Sequence, residues 1–98
     1  MKMDEYRTKI IRKRIRVYGS VQGVGFRYRT EHAAGAVGAT GWVKNDSDGA
    51  VSMEIQGTEE QIDQVFLMIN RGTYVHMERM DARTIPVVEE ERGFTIKS

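Results

Sequence analysis

The part of this chain best suited to chemistry is a cluster of glycines followed by an arginine. Three glycines fall within residues 19–25 of the segment GSVQGVGFRYR, and Arg27 follows two positions after the last of them. Glycine loses more conformational entropy on folding than other residues do, and it is used where the backbone turns sharply or approaches something closely. The spacing therefore indicates that something comes close to the backbone just before Arg27.

The predicted elements on either side of the glycines favour an anion-binding loop. Apolar residues of period two predict a strand over 11–18, and helically spaced residues predict a helix over Phe26–Val37. In such a loop the backbone N–H groups turn toward one point, beside the positive end of the helix dipole. The residues that would offer those N–H groups are Val21, Gln22, Gly23, Val24, Gly25 and Phe26.

Arg27 stands where the predicted helix begins. A guanidinium at that position can hold two phosphate oxygens in a bidentate geometry. Known phosphate-loop motifs do not match, since no Lys-Ser/Thr pair follows the last glycine and Tyr28 occupies the place of the third glycine of a dinucleotide fingerprint. The residues alone therefore leave two equal interpretations, which are an anion loop and a tight connection that leaves Arg27 at the surface.

The middle of the chain predicts a hairpin and a second helix. In the segment TGWVKNDSDGAVSMEIQG, strand-forming residues lie on both sides of a turn at Asp48-Gly49. Thr58 and Gln61 then have the spacing of a helix capping box. An amphipathic stretch follows, and Gly72 stands just after its end.

The order of the elements predicts the fold class. A poorly phased strand is predicted over 75–88, where Pro86 limits pairing, and Phe94 and Ile96 mark a short final strand. The order β-α-β-β-α-β with a final strand is that of a ferredoxin-like split βαβ arrangement. We therefore predict an α+β sandwich in which two helices pack on one face of an antiparallel sheet. A single domain is expected over residues 1–98, with residues 1–9 as a flexible lead-in.

The composition excludes several kinds of site. The 98 residues include no cysteine, so a disulfide, a thiol nucleophile and a cysteine metal site are excluded. There is no long apolar run and no signal-peptide pattern, which predicts a soluble, cytoplasmic protein without a membrane partner. The formal net charge is +1, yet residues 1–29 carry nine Lys/Arg against two Asp/Glu, which favours an anionic partner. A solvated strand face is the alternative interpretation of Arg12, Arg14 and Arg16.

Two motifs at a fixed separation resemble the acylphosphatase family. The segment GSVQGVGFR matches that family's Gly-x-Val-Gln-Gly-Val-Gly-Phe-Arg pattern. The segment GWVKNDSDGAV matches its Gly-Trp-Val-x-Asn and Asp-Gly-x-Val patterns, and it places Asn45 eighteen positions after Arg27. The resemblance is dense over residues 15–57, and the order of the elements extends it to the whole chain.

The resemblance implies hydrolysis of the carboxyl–phosphate bond of a small acyl phosphate, which yields a carboxylate and inorganic phosphate. It also implies that Arg27 binds the phosphate, that Asn45 positions the attacking water, and that the backbone of residues 21–26 cradles the phosphate. Because a carboxylate is a good leaving group, we expect no metal ion and no cofactor. We expect a monomer whose partners are a small acyl phosphate and the product phosphate or another oxyanion, and no nucleic acid.

Four other interpretations stay open. The segment NDSDG is ordinary turn chemistry, so Asn45 by itself is more typical of a turn than of a site. The same element order builds RNA-binding RRM domains, although Val24 and Arg27 replace the aromatic residue and the valine of that motif. Acylphosphatase-like domains also occur within larger carbamoyl-transfer maturation proteins. An inactive anion-binding module would keep the same residues.

Overall fold

The computed structural model describes residues 8–23, 25–71 and 76–98, and its elements follow the predicted order. The predictions of both helices, of the hairpin and of the first and last strands are confirmed, with bounds that differ by a few residues. The elements are β1 (Ile10–Ser20), α1 (Phe26–Val37), β2 (Thr40–Asn45), β3 (Val51–Thr58), α2 (Glu59–Asn70), β4 (His76–Ile85) and β5 (Phe94–Lys97). Some sequence predictions fall outside the described residues. They concern the lead-in at residues 1–7, the loop residue Val24, the glycine after the second helix, Gly72, and the first residue of the predicted strand, Val75.

The five strands form one sheet in the order β4-β1-β3-β2-β5. The predicted antiparallel pairing is correct for β4, β1, β3 and β2 but wrong for β5, which pairs parallel to β2 with Gly41 opposite Phe94. β4 ends with Ile85 opposite Arg12, at the end of the sheet where β2 begins. Residues 86–93, the crossing segment, then pass along that end. β5 consequently starts beside the start of β2 and runs in the same direction.

A buried arginine holds the crossing segment to the sheet. Arg12 is 2% exposed and forms ion pairs with Glu54 at 2.8 Å and with Glu91 at 2.7 Å. The Gln56 side chain donates to the carbonyl oxygen of Val88 and accepts from its N–H, both at 2.8 Å. Burial acts to raise the pKa of Glu91, but the hydrogen bonds of Arg12 and Thr40 and the charges of Arg12 and Lys97 together outweigh it, so the pKa lies below its ordinary value. The interpretation of Arg12 as part of a solvated face is therefore wrong, because its side chain is buried and forms its ion pairs with Glu54 and Glu91.

Alternation along the strands puts the core on one face of the sheet. Ile15 and Val17 of β1 pack toward the helices, whereas Arg14 and Arg16 lie on the opposite face, where they are 44% and 41% exposed. A solvated strand face thus describes these two arginines. Both helices pack on the core face, so the predicted α+β split βαβ arrangement is confirmed. The buried apolar residues of the core include Val43, Met53, Ile55, Ala34, Val65 and Ile69.

The two helices are joined at their ends by one side chain. The N–H of Gln61 donates to Oγ1 of Thr58 at 3.1 Å and its Oε1 accepts from the Thr58 N–H at 2.7 Å, which confirms the predicted capping box. The Gln61 Nε2 also donates to the carbonyl oxygen of Val37, the last residue of α1, at 2.8 Å. Within the described ranges, each of these helices has 12 residues, fewer than the about 20 apolar residues that cross a bilayer.

One end of the sheet collects the elements that carry the predicted site residues. Val51, at the start of β3, lies opposite Val17 of β1 on one side and opposite Asn45 of β2 on the other. The chain leaves β1 shortly after Val17, forms the loop over residues 21–25 and enters α1. This register brings the loop, the start of α1 and Asn45 to the same end of the sheet, which explains the fixed separation of Arg27 and Asn45.

Candidate active site

The loop over residues 21–25 contains two glycines in a left-handed backbone conformation. Gly23 has a φ of +75° and Gly25 a φ of +76°, a region that residues with a side chain rarely adopt. A Cβ atom at either position would meet no described atom within 4 Å. Backbone conformation rather than crowding therefore requires glycine here, and open space lies in front of both residues. Val24, between them, lies outside the described residues.

The start of α1 leaves its backbone donors free. Gly25 is the N-cap, and α1, all of whose residues are described, has no side-chain cap and no acidic residue in its first turn. The Arg29 N–H donates to the Gly25 carbonyl oxygen at 3.0 Å, and the N–H groups before it have no acceptor within the helix. The positive end of the helix dipole points out of the same turn, which favours an anion at this position.

A cavity of about 250 Å³ opens where the loop, α1 and β2 meet. Its lining residues are Val21, Gly23, Gly25, Phe26, Arg27, Tyr28 and Asn45. The structure thus brings together Arg27, Asn45 and four of the six predicted loop residues. Gln22 does not line the cavity. Tyr28 also lines the cavity, although the sequence motifs predict no role for it. Its position beside Arg27 in the first helical turn is the signal that points to it.

Arg27 is half-buried in the first turn of α1, and most of its side-chain N–H groups have no acceptor among the described residues. Its Nη1 donates to the carbonyl oxygen of Lys97 on β5 at 3.5 Å. Among the described residues, no carboxylate lies within ion-pair distance of Arg27. A guanidinium carries five N–H donors, so the remaining ones can meet an anion in the cavity.

Asn45 presents a buried oxygen without a partner. It is the last residue of β2, and its Oδ1 is buried and has no hydrogen-bond donor among the described residues. Most buried polar atoms are paired, and leaving one unpaired costs about 1–3 kcal/mol. Asn45 itself lines the cavity, and rotation of its side-chain amide can bring this oxygen to a water molecule there.

Gln22 joins the loop to the hairpin that carries Asn45. Its Nε2 donates to the carbonyl oxygens of Asp46 at 2.8 Å and of Ala50 at 2.7 Å. Asp46 directly follows Asn45, and its carboxylate accepts a hydrogen bond from the Ser52 hydroxyl. The sequence predicts only a backbone N–H donor at Gln22, and this positioning contact of its side chain becomes visible only in the folded structure.

Comparison with known proteins gives the family of the chain. The model of the acylphosphatase family matches residues 13–96. The chain belongs to the acylphosphatase family. Members of this family are enzymes that hydrolyse acyl phosphates. An acylphosphatase from Clostridium acetobutylicum is 41% identical over 83 residues, which cover 84% of this chain and 91% of that protein. The resemblance seen in the two sequence motifs is thereby confirmed.

Solved structures share the fold of this acylphosphatase-family chain. The crystal structure of acylphosphatase from Bacillus subtilis superposes with a TM-score of 0.81 at 30% identity, over 90% of this chain and 99% of that one. Full-length HypF, in its phosphate- and nucleotide-bound form, superposes with a TM-score of 0.80 at 27% identity, over 93% of this chain and 12% of that one. The same fold is therefore found in an acylphosphatase of similar length and in one part of a larger protein.

Proposed function

We propose that the protein hydrolyses the carboxyl–phosphate bond of small acyl phosphates at this cavity, which yields a carboxylate and inorganic phosphate. The observation that carries the proposal is that Asn45, whose Oδ1 has no donor among the described residues, lines the same cavity as Arg27. One residue offers an acceptor for water, and the other offers donors for phosphate. Membership of the acylphosphatase family supports this assignment.

The phosphoryl group binds between the loop and Arg27. The N–H groups of residues 21–26 and of the first turn of α1 donate to its oxygens. The Arg27 guanidinium adds a full positive charge, and its planar donors hold two oxygens at once. Donors held in position before the substrate arrives stabilise the charge on the phosphoryl oxygens without reorganisation.

Asn45 orients the water that attacks phosphorus. Its Oδ1 accepts one water hydrogen and so turns a lone pair of the water oxygen toward phosphorus. The water oxygen forms the new P–O bond while the bond from phosphorus to the carboxylate oxygen breaks, and that oxygen leaves with the electron pair. The water proton passes to a phosphate oxygen or to solvent. A carboxylate is a weak base, so its departure requires no general acid.

The Asn45 amide carries two N–H donors as well as its oxygen, so an inactive anion-binding module would keep the same residue. The assay of phosphate release described below distinguishes such a module from an enzyme.

The cellular setting in this proposal rests on composition. A chain without cysteine has no need of an oxidising compartment, and we propose that the enzyme works in the cytoplasm as a monomer. Size-exclusion chromatography of the purified chain tests the monomer. Fractionation of the cells that produce it tests the location.

Phosphate release from acetyl phosphate, measured in buffer that contains EDTA, tests the proposal. Arg27→Ala should lower kcat/KM by at least about 100-fold, because it removes the charged donor to the transferring group. Arg29→Ala is the matched control, since Arg29 lies on the same helix but does not line the cavity, and it should keep the parent activity. A folded parent protein that releases no phosphate, or equal losses in the two variants, would contradict the proposal.

A further inference from the structure

Tyr28 lines the cavity but takes no part in the hydrolysis described above. It is 67% exposed and directly follows Arg27 in the first turn of α1. Phe26 and Thr30 of the same helix are 1% and 0% exposed, and Tyr28 stands two residues, or about 200° of helical rotation, from each of them. The Tyr28 ring therefore lies on the solvent side of α1, at the mouth of the cavity.

The direction of the reaction puts the acyl group at that mouth. In-line displacement keeps the attacking water and the leaving oxygen on opposite sides of phosphorus. Asn45, the residue proposed to position the water, ends β2 and so lies on the sheet side of the cavity. The leaving oxygen consequently faces the open side of the cavity, which is the side of Tyr28.

The space beside this ring suits a flat apolar group. A Cβ at Gly23 or Gly25 would meet no described atom within 4 Å, so the region in front of the loop is open. Among the described residues, the other apolar ones in the lining, Val21 and Phe26, are buried and keep their side chains in the core. A planar group can enter this open region and place its face against the Tyr28 ring, whereas a single methyl group has little surface to place there.

We infer that Tyr28 is a specificity-determining residue that contacts the acyl group and favours aromatic acyl phosphates over acetyl phosphate. The inference rests on the proposed hydrolysis at this cavity. Offset stacking between aromatic rings stabilises a complex beyond the burial of area. The ring contact is made in the bound substrate as well as in the transition state, so it lowers KM and leaves kcat nearly unchanged.

Steady-state kinetics with acetyl phosphate and benzoyl phosphate tests this inference. The parent protein should prefer benzoyl phosphate, and Tyr28→Ala should reduce the ratio of the two kcat/KM values by about 3- to 10-fold, through KM. Tyr28→Phe keeps the ring and should keep the ratio. Leu67→Ala is the control, since it removes a side chain that is 55% exposed on α2, and it should leave both substrates unaffected.

The two substrates separate the possible failures. Equal losses on both substrates in Tyr28→Ala would indicate a structural role and would overturn the inference, as would an unchanged ratio. If the parent protein hydrolyses both substrates and Tyr28→Ala leaves the ratio of their kcat/KM values unchanged, only this inference is contradicted. A folded parent protein that hydrolyses neither contradicts the proposed function and removes this inference with it.

Discussion

Replacing Asn45 by alanine should abolish most of the activity while leaving the fold as stable as before or more stable. The buried Oδ1 has no hydrogen-bond donor among the described residues, and an unpaired buried acceptor costs about 1–3 kcal/mol. Asn45 is only half-buried, so its truncation leaves no large core cavity. We therefore expect the free energy of unfolding of Asn45→Ala to be unchanged or raised by up to about 3 kcal/mol.

The effect on turnover should have the opposite sign. Without Oδ1 the attacking water loses the acceptor that orients it, and loss of one such positioned group lowers kcat by about 100- to 1000-fold. Phosphate release from acetyl phosphate and thermal unfolding are measured on the same preparations. For a domain of this size, 1 kcal/mol corresponds to about 4–8 °C in Tm. Asn70→Ala, at the exposed end of α2, is the control that should change neither quantity.

Measuring kcat and Tm of Asn45→Ala together tests whether Asn45 orients the attacking water. A lower Tm together with lower kcat would mean that Asn45 is a structural residue of the hairpin turn, and its effect on turnover would then be indirect. Unchanged kcat with raised Tm would mean that the buried oxygen does not orient the attacking water. Only a large loss of kcat without loss of stability agrees with the proposed role.

Three further substitutions test other parts of the structure. Gly25→Ala should destabilise the protein by about 1–2 kcal/mol in chemical denaturation because of its positive φ, whereas Gly35→Ala, in the middle of α1 with open space around it, should stabilise it by about 0.5–1 kcal/mol. Gln22→Ala should lower kcat by up to about 100-fold and stability by about 1–3 kcal/mol, since the loop loses its two hydrogen bonds to the hairpin, and a kcat equal to that of the parent protein would argue against positioning. The pKa of Glu91 lies below its ordinary value in the folded state, so its contribution to stability is present at neutral pH and is lost as the pH falls below about 4.3. Glu91→Gln should therefore cost about 1–3 kcal/mol at pH 7 and less in acid, measured by urea denaturation at pH 7 and pH 3. Glu89→Gln is the exposed control, and an equal loss at both pH values in Glu91→Gln would contradict the assignment.

Most of the candidate site could be predicted because it is encoded over short stretches of chain. A strand, two glycines with positive φ and a helix start follow one another directly, so the loop and Arg27 are in place once these elements form. Asn45 could be added only through the family motif, since by itself it is typical of a turn. The side-chain contact of Gln22 and the position of the Tyr28 ring depend on how the hairpin and α1 pack, and no local pattern reveals them.

The parts of the fold that could not be predicted depend on contacts between distant positions. Arg12 and Glu91 are separated by 79 positions, and nothing in the alternation of β1 indicates that this arginine is buried. The parallel pairing of β5 follows from the path of the crossing segment, residues 86–93, across the sheet. That path is set by the contacts of Glu91 and Val88 with the sheet, which only the folded structure contains.

Hydrolysis of acetyl phosphate in water enriched in oxygen-18 tests the central claim most directly, because it reports which atom the water attacks. We predict that each inorganic phosphate formed by the enzyme carries one oxygen-18 atom and that the acetate carries none, since the water held by Asn45 bonds to phosphorus. The measurement uses enough enzyme that the catalysed reaction far exceeds the uncatalysed one. Oxygen-18 in the acetate would mean attack on the carbonyl carbon and would contradict the proposed mechanism.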